Sequence, residues 1–170
     1  MGKEQIEGLE TEIITNFSEM DLDLVRELIE FWSRQSAEDI YFRFFASRPP
    51  CEASFCSILK NYQAMIVTYA SEGDRRLIVG YVEAARDRSE PEYFELGVAV
   101  DQGHRKRGIA SHLIELLEET FKQMDIIKVK AIIMPGNVPM MRLIDQIGKG
   151  KKITKQYEDG CTVCRVIREP

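Results

Sequence analysis

Two features of this 170-residue chain have residue types that can do chemistry. The first is the run from Val98 to Ala110, VAVDQGHRKRGIA. An alternating strand pattern leads into a short basic loop, Arg105, Lys106 and Arg107, and the loop opens at Gly108 into an amphipathic helix pattern. Such a junction aims unpaired backbone N–H groups and the positive end of a helix dipole at one point, an arrangement that suits a pyrophosphate. The second feature is Glu95 on the strand itself. Phe94, Leu96, Val98 and Val100 point to one side of it, and Glu95, Gly97 and Ala99 to the other. The first face is bulky and fits packing against helices. The second is nearly bare, with room for a ligand beside a single carboxylate. For an arbitrary strand glutamate the ordinary reading is a solvated outer face. A carboxylate raised toward neutrality by partial burial is instead a proton acceptor. Glu83, on the preceding strand, is the substitute candidate for that role.

The elements that position these residues follow from periodicity. Residues 9–17 read as a first strand and 1–8 as a disordered tail. A helix over 20–35 places Leu22, Val25, Leu28, Ile29 and Trp32 on one face. Ser36-Ala-Glu-Asp39 is a capping box that opens a second short helix, which Pro49 and Pro50 end; residues 52–60 add a further helical turn or two. Strands 62–70 and 75–86 flank a hairpin turn at 71–74. In the second of them both alternating sets, Leu77/Val79/Tyr81 and Ile78/Gly80/Val82, are apolar or small, which marks a central strand. Strand 92–100 comes next, then helix 108–124 with Ala110, Leu113, Leu117, Phe121 and Met124 inward. Strand 128–134 must run parallel to 92–100, because a helix intervenes. Asn137 starts a helix over 138–147, and strands 151–157 and 161–168 close the chain.

Composition narrows the function classes. A chain of this length buries about 70% of its unfolded surface without staples. A formal charge of -5, with one short basic cluster from His104 to Arg107, argues against a nucleic-acid partner. No apolar run approaches a membrane span, and the first residues lack the apolar core of a signal peptide. Four cysteines at 51, 56, 161 and 164 fit free thiols in a cytoplasmic protein. Cys161 and Cys164 are three apart on a strand, so they face opposite sides and do not suggest a shared metal.

The hexad Arg105-x-x-Gly108-x-Ala110 resembles the Q/R-x-x-G-x-G/A acetyl-CoA signature of the GNAT N-acetyltransferase superfamily. The element order resembles the GNAT fold over nearly the whole chain. Asn137-x-x-Met140-x-x-Leu143-x-x-x-x-Gly148 is similar to a second family segment, with Lys149 where the family has Phe and Ile144 where it often has Tyr. Ser36-Ala-Glu-Asp-Ile-Tyr-Phe-Arg-Phe-Phe45 looks like a segment of the Pat-type protein lysine acetyltransferases. The resemblance implies an α+β fold in α/β/α layers over residues 9–168, one GNAT domain whose mixed sheet of about seven strands splays at the acetyl-CoA site. It implies amides of Arg105, Lys106, Arg107, Gly108, Ile109 and Ala110 on the pyrophosphate, with the Ser111 hydroxyl nearby. The main chain of Val98, Ala99 and Val100 would pair with the pantetheine arm. Asn137 would either touch the arm or simply cap its helix, and no metal is expected.

The Pat resemblance implies Glu95, ten residues ahead of Arg105, as the base that readies an acceptor amine. The expected acceptor is a protein lysine. A lysine amine with pKa near 10.4 must lose its proton first, at a cost of about 4.6 kcal/mol at pH 7. No general acid is evident with Ile144 in the Tyr position. A small amine such as an amino acid or polyamine is the alternative acceptor, a silent acyl-CoA sensor the alternative class, and a homodimer is left open.

Overall fold

The structure, a computed structural model, describes residues 6–17 and 21–168. Its elements are β1 (Leu9–Ile14), α1 (Leu22–Ser33), α2 (Ala37–Phe44), α3 (Glu52–Leu59), β2 (Tyr62–Glu72), β3 (Arg75–Arg86), β4 (Phe94–Val100), α4 (Ile109–Gln123), β5 (Lys128–Ile133), α5 (Val138–Ile147), β6 (Lys152–Glu158) and β7 (Cys161–Ile167). The seven strands form one mixed sheet in the order β1-β2-β3-β4-β5-β7-β6. All neighbours are antiparallel except β4 and β5, which run parallel as the intervening α4 requires. Residues 1–5 of the expected tail lie outside the described residues, and so does the first position of the expected 20–35 helix. Ile6 packs against the core and its carbonyl accepts from the Leu9 amide, so order begins at least there.

The sheet separates two apolar cores, giving α/β/α layers. On one face α4 and α5 bury Leu113, Leu117, Phe121 and Ile144 against Ile66, Val82 and Val129. On the other, α1 to α3 bury Leu28, Phe31, Trp32 and Phe55 against Met65, Val67 and Tyr81. The Trp32 indole donates to the Tyr81 hydroxyl at 2.9 Å, which satisfies both polar tips inside this second core.

Three patterns differ from strict periodicity. The pairing of β2 with β3 slips between Thr68 and Tyr69, where the register jumps from Gly80 to Ile78. This bulge at Val79 sends Ile78 and Tyr81 to the α1 face and Val79 and Val82 to the α4 face, so the two alternating sets expected for β3 are mixed. Asp21 caps α1 through Asp23 and Leu24 amides, and the helix buries Leu24, Val25, Leu28, Phe31 and Trp32. Leu22 is therefore solvent-facing, with 46% of its surface exposed, and Ile29 is only partly covered. On α4 the inward face is broader than expected: Ile109, Ile114, Leu116 and Thr120 join Leu113, Leu117 and Phe121.

Charge closes the far end of β4. Lys130, opposite Glu95 on β5 and 5% exposed, binds Asp87 at 2.5 Å and Glu90 at 3.3 Å in the turn after β3. Arg165 on β7 grips Glu90 with two bonds of 2.6 and 2.9 Å and reaches Glu158 at 3.0 Å. Burial alone would raise the Asp87 carboxyl, but Lys130, Ser89 and the Ser89 and Glu90 amides hold it well below the usual range. Hydrogen bonds from Arg165 and Lys130 bring Glu90 down to about 2. A depressed carboxyl stabilises the fold above its unfolded value, near 4.3, and that contribution disappears as pH falls through its folded value. Glu90→Gln is therefore expected to weaken the fold at neutral pH and to flatten the loss of stability between about pH 5 and about pH 2. Urea unfolding across that range checks it; an unchanged slope would remove Glu90 from the acid response.

Candidate active site

Strands β4 and β5 pair at only two positions, Phe94 with Val129 and Glu95 with Lys130, and then part. The gap beyond Glu95 is the candidate site. A cavity of about 440 Å³ fills it, lined by Leu96 to Val100 of β4, Ala110 of α4, Asn137 and Met140 from the start of α5, and Phe42 of α2. On its outer side β4 stays paired to β3 through Val82 with Val98, Tyr81 with Ala99 and Gly80 with Val100. The edge toward β5 is thus free to receive an extended ligand main chain, as β-strand addition requires. One of its carbonyls, on Val100, accepts from the Arg105 Nε at 3.0 Å.

The loop after β4 is shaped for an anion. Asp101 accepts from the Gly103 amide at 3.1 Å and lies 3.1 Å from the His104 ring, which fixes the turn. Lys106 and Gly108 both take positive φ, 61° and 81°. Gly108 is the N-cap of α4 and brings no side chain to its first amides, so those N–H groups point outward. Positive φ at the cap is the conformation that glycine adopts without strain.

The expected binding residues divide into three groups. Val98, Ala99, Val100, Arg105, Ala110 and Asn137 line the cavity. Lys106, Arg107 and Gly108 are exposed in the loop beside it, so a ligand would meet the loop amides there. Ile109 is buried with its side chain in the core, and the Ser111 hydroxyl lies 3.5 Å from Gln146 of α5. Asn137 caps α5 by accepting from the Met140 amide at 3.2 Å, and it faces the cavity as well. Arg105 donates to Asp39 of α2 at 2.7 Å, which ties the loop to the helix above the gap. Ile144 is a core residue, 1% exposed. Cys164 is buried and the Cys161 sulfur rests 3.5 Å from that of Met134.

Glu95 lies at a junction. It lines the cavity just described and also a second one, of about 560 Å³, bounded by Phe45, Ile58, Asn61, Tyr62 and the 85–89 turn. Burial pushes its carboxyl up, Arg43 and Lys130 pull it back, and Asp87 adds to the rise; the net effect is upward. Among the described residues no donor hydrogen-bonds to it, so the carboxylate is uncommitted.

Glu83 differs in kind. Its side chain is 2% exposed and is ion-paired to Arg43 from the last turn of α2, whose guanidinium also reaches the Tyr62 hydroxyl at 3.3 Å. Gly97 makes this possible. A Cβ there would overlap Glu83 Oε1 and sit 2.7 Å from Arg43 Nε. The bare face expected at Gly97 is therefore filled by an ion pair, and ligand space begins on either side of it. The sequence reading missed Arg43, although a charged residue between Phe42 and Phe44 on a half-buried helix was the available signal. Of the aromatics around α2, Phe44 packs on Trp32 and Phe55, while Phe42 and Phe45 wall the cavity.

The Acetyltransferase (GNAT) family model matches residues 22–148. Among solved structures, the GNAT domain of S. lividans PAT superposes with a TM-score of 0.68 at 20% identity, over 91% of this chain and 88% of that one. A phosphinothricin acetyltransferase from Sinorhizobium meliloti, in complex with AcCoA, gives 0.67 at 17% identity, over 94% and 89%. The diaminobutyrate acetyltransferase EctA from Paenibacillus lautus, in complex with L-2,4-diaminobutyric acid and coenzyme A, gives 0.65 at 14% identity, over 94% and 96%. These likenesses establish a shared fold.

Crowding at Gly97 predicts a specific weakness. Gly97→Ala is expected to lose about 1–3 kcal/mol in urea unfolding, because the pair above it must shift. Gly103→Ala, whose Cβ would meet only Asp101 Oδ2 at 3.4 Å, is expected to lose far less. Equal losses at the two positions would mean that the ion pair yields freely.

Proposed function

The chain belongs to the GNAT acetyltransferase family, and on that premise we propose that it moves the acetyl group of acetyl-CoA to the ε-amine of a protein lysine, with Glu95 as general base. It is an acetyl-CoA-dependent acyltransferase; the acceptor and the base are our reading. The observation that carries the reading is the position of Glu95, an uncommitted, partly buried carboxylate common to both cavities. We assign the cavity beside α4 to acetyl-CoA and the one beside the 85–89 turn to the acceptor. Support for a protein acceptor comes from the Pat-like segment 36–45 and from the mouth of the second cavity. Asn61, Arg88 and Ser89, all exposed, belong to its lining, so that cavity opens to the surface.

The residues present fit the donor. The Gly108 cap and positive φ at Lys106 offer amides to a pyrophosphate, and the unpaired edge of β4 offers main-chain groups to the pantetheine amides. Acetyl-CoA supplies an activated thioester. In the proposed reaction Glu95 takes a proton from the incoming ammonium, and the amine nitrogen then bonds to the thioester carbonyl carbon as the C–S bond breaks; the second proton that nitrogen sheds on becoming an amide passes to solvent or to the departing thiolate. A thiol with a pKa near 8.5 leaves as thiolate without a dedicated acid, consistent with Ile144 in the core. We take residues 9–168 as one domain acting in the cytoplasm, a reading that rests on four free cysteines. Among the described residues no helix is long and apolar enough to cross a membrane.

Two outcomes are expected. Glu95→Gln lowers kcat by roughly 10²–10⁴-fold while acetyl-CoA binding by calorimetry changes little. The pH profile of kcat/KM in the parent rises through an ionisation above the ordinary glutamate value of about 4.3, since the base must be deprotonated and burial raises it. Near-normal turnover in Glu95→Gln would remove it as the base. The acceptor is settled by CoA release with proteome extract, amino acids and polyamines in parallel. Transfer to extract lysines supports the protein reading, and transfer to one small amine alone replaces it.

A further inference from the structure

Glu83 and Glu95 stand on the same face of two paired strands. The register sets Glu83 opposite Gly97 and Ala85 opposite Glu95, so the two carboxylates are diagonal neighbours. Two carboxylates this close, one almost fully buried, do not both stay ionised without a counter-charge. The groups around Glu95 come from every element packed there. Tyr62 comes from β2, Glu83 and Asp87 from β3 and its turn, Lys130 from β5 and Arg43 from α2. Glu38, Asp39, Arg105 and Arg142 line the cavity of about 440 Å³ that Glu95 also borders, with Asp39 and Arg105 bound to each other. Lys130 is engaged by Asp87 and Glu90. Arg43 is the cation whose charge acts on both glutamates. Its guanidinium crosses β4 over Gly97, rests 5.2 Å from the Phe44 ring centroid, and lines both cavities.

We infer that Arg43 is a positioning residue of the transfer reaction: by binding Glu83 across Gly97 it takes the second carboxylate out of competition and leaves Glu95 as the one free to accept the proton. The inference rests on the role proposed for Glu95. Burial raises the Glu83 carboxyl and Arg43 lowers it only in part, so the net effect is upward, while the paired Arg43 is held firmly protonated. Without Arg43, Glu83 would hold a proton of its own beside Glu95, and the site would have two coupled acids. With Arg43 but without Glu83, an uncompensated cation would face Glu95.

These two changes have opposite signs, and a purely structural role predicts neither. The test is the pH profile of kcat/KM for acetyl transfer in the full chain, with acetyl-CoA affinity and thermal unfolding measured on each variant. Arg43→Gln is expected to move the acid limb to higher pH by about one unit. Glu83→Gln is expected to move it to lower pH by a similar amount. The double variant Arg43→Gln with Glu83→Gln removes a neutral pair and is expected to bring the limb back to its parent position. If Arg43→Gln does not fold, the downward shift in Glu83→Gln still decides the matter. A limb that stays put in Glu83→Gln, or a double variant displaced as far as Arg43→Gln, overturns the inference. A limb that survives in Glu95→Gln overturns the base assignment instead, so the two failures are distinguishable.

Discussion

Everything specific to this molecule depends on the parting of β4 from β5. Parallel strands that stayed paired past Glu95 and Lys130 would leave a continuous sheet with no cavity and no free backbone edge. Instead the ladder stops after two residues. The unsatisfied groups this creates must find partners or water. Arg105 meets one of them by donating to the Val100 carbonyl, and Phe42, Met140 and Leu143 supply apolar walls from above and below the gap.

A splayed sheet has to be anchored where the splay starts. Here that anchor is ionic. Lys130 occupies the last paired position of β5 and is held from two directions, by the turn after β3 and, through Glu90, by Arg165 of β7. The network ties three strands together at the closed end of the gap. Across the gap, Arg43 joins α2 to β3 over Gly97, and Arg105 joins the loop to α2 through Asp39. Helix α2 is consequently held at both ends by charge, in addition to the apolar contacts of Ile40 and Phe44.

Most of this was legible in the sequence where periodicity carries it. The strands, the helices after β4 and β5, and the parallel step all follow from alternation and from the length of the connections. The failures have a physical pattern. Alternation on β3 breaks at Val79 because a bulge adds one residue to the strand, and no side-chain type announces it. On α1, Leu22 in the first turn beside the Asp21 cap stays exposed, and Leu24 and Phe31 take the buried face. At the site, Glu95 and the Gly108 cap are visible as local patterns. Lys130 and Arg165 are not, and Arg43 shows only as a charge between two phenylalanines, since each acts on a partner 40 to 75 residues away in sequence. Long-range charge pairs leave no period to read.

The two sides of the site therefore differ in what constrains them. The side assigned to the donor is built from main chain: amides of a loop, an unpaired strand edge and a glycine cap. Such a surface asks of its residues only φ values and small size, and the side chains of Lys106 and Arg107 remain exposed without it suffering. The acceptor side is built from side chains whose charges are balanced one against another. There a single substitution alters a sum, because removing any member leaves its partner uncompensated beside Glu95. Gly97 is where the two designs meet. Its missing side chain serves the ion pair on the sheet face, while its backbone continues the strand that the donor would pair with. A residue chosen for what it lacks thus lets one strand border both cavities.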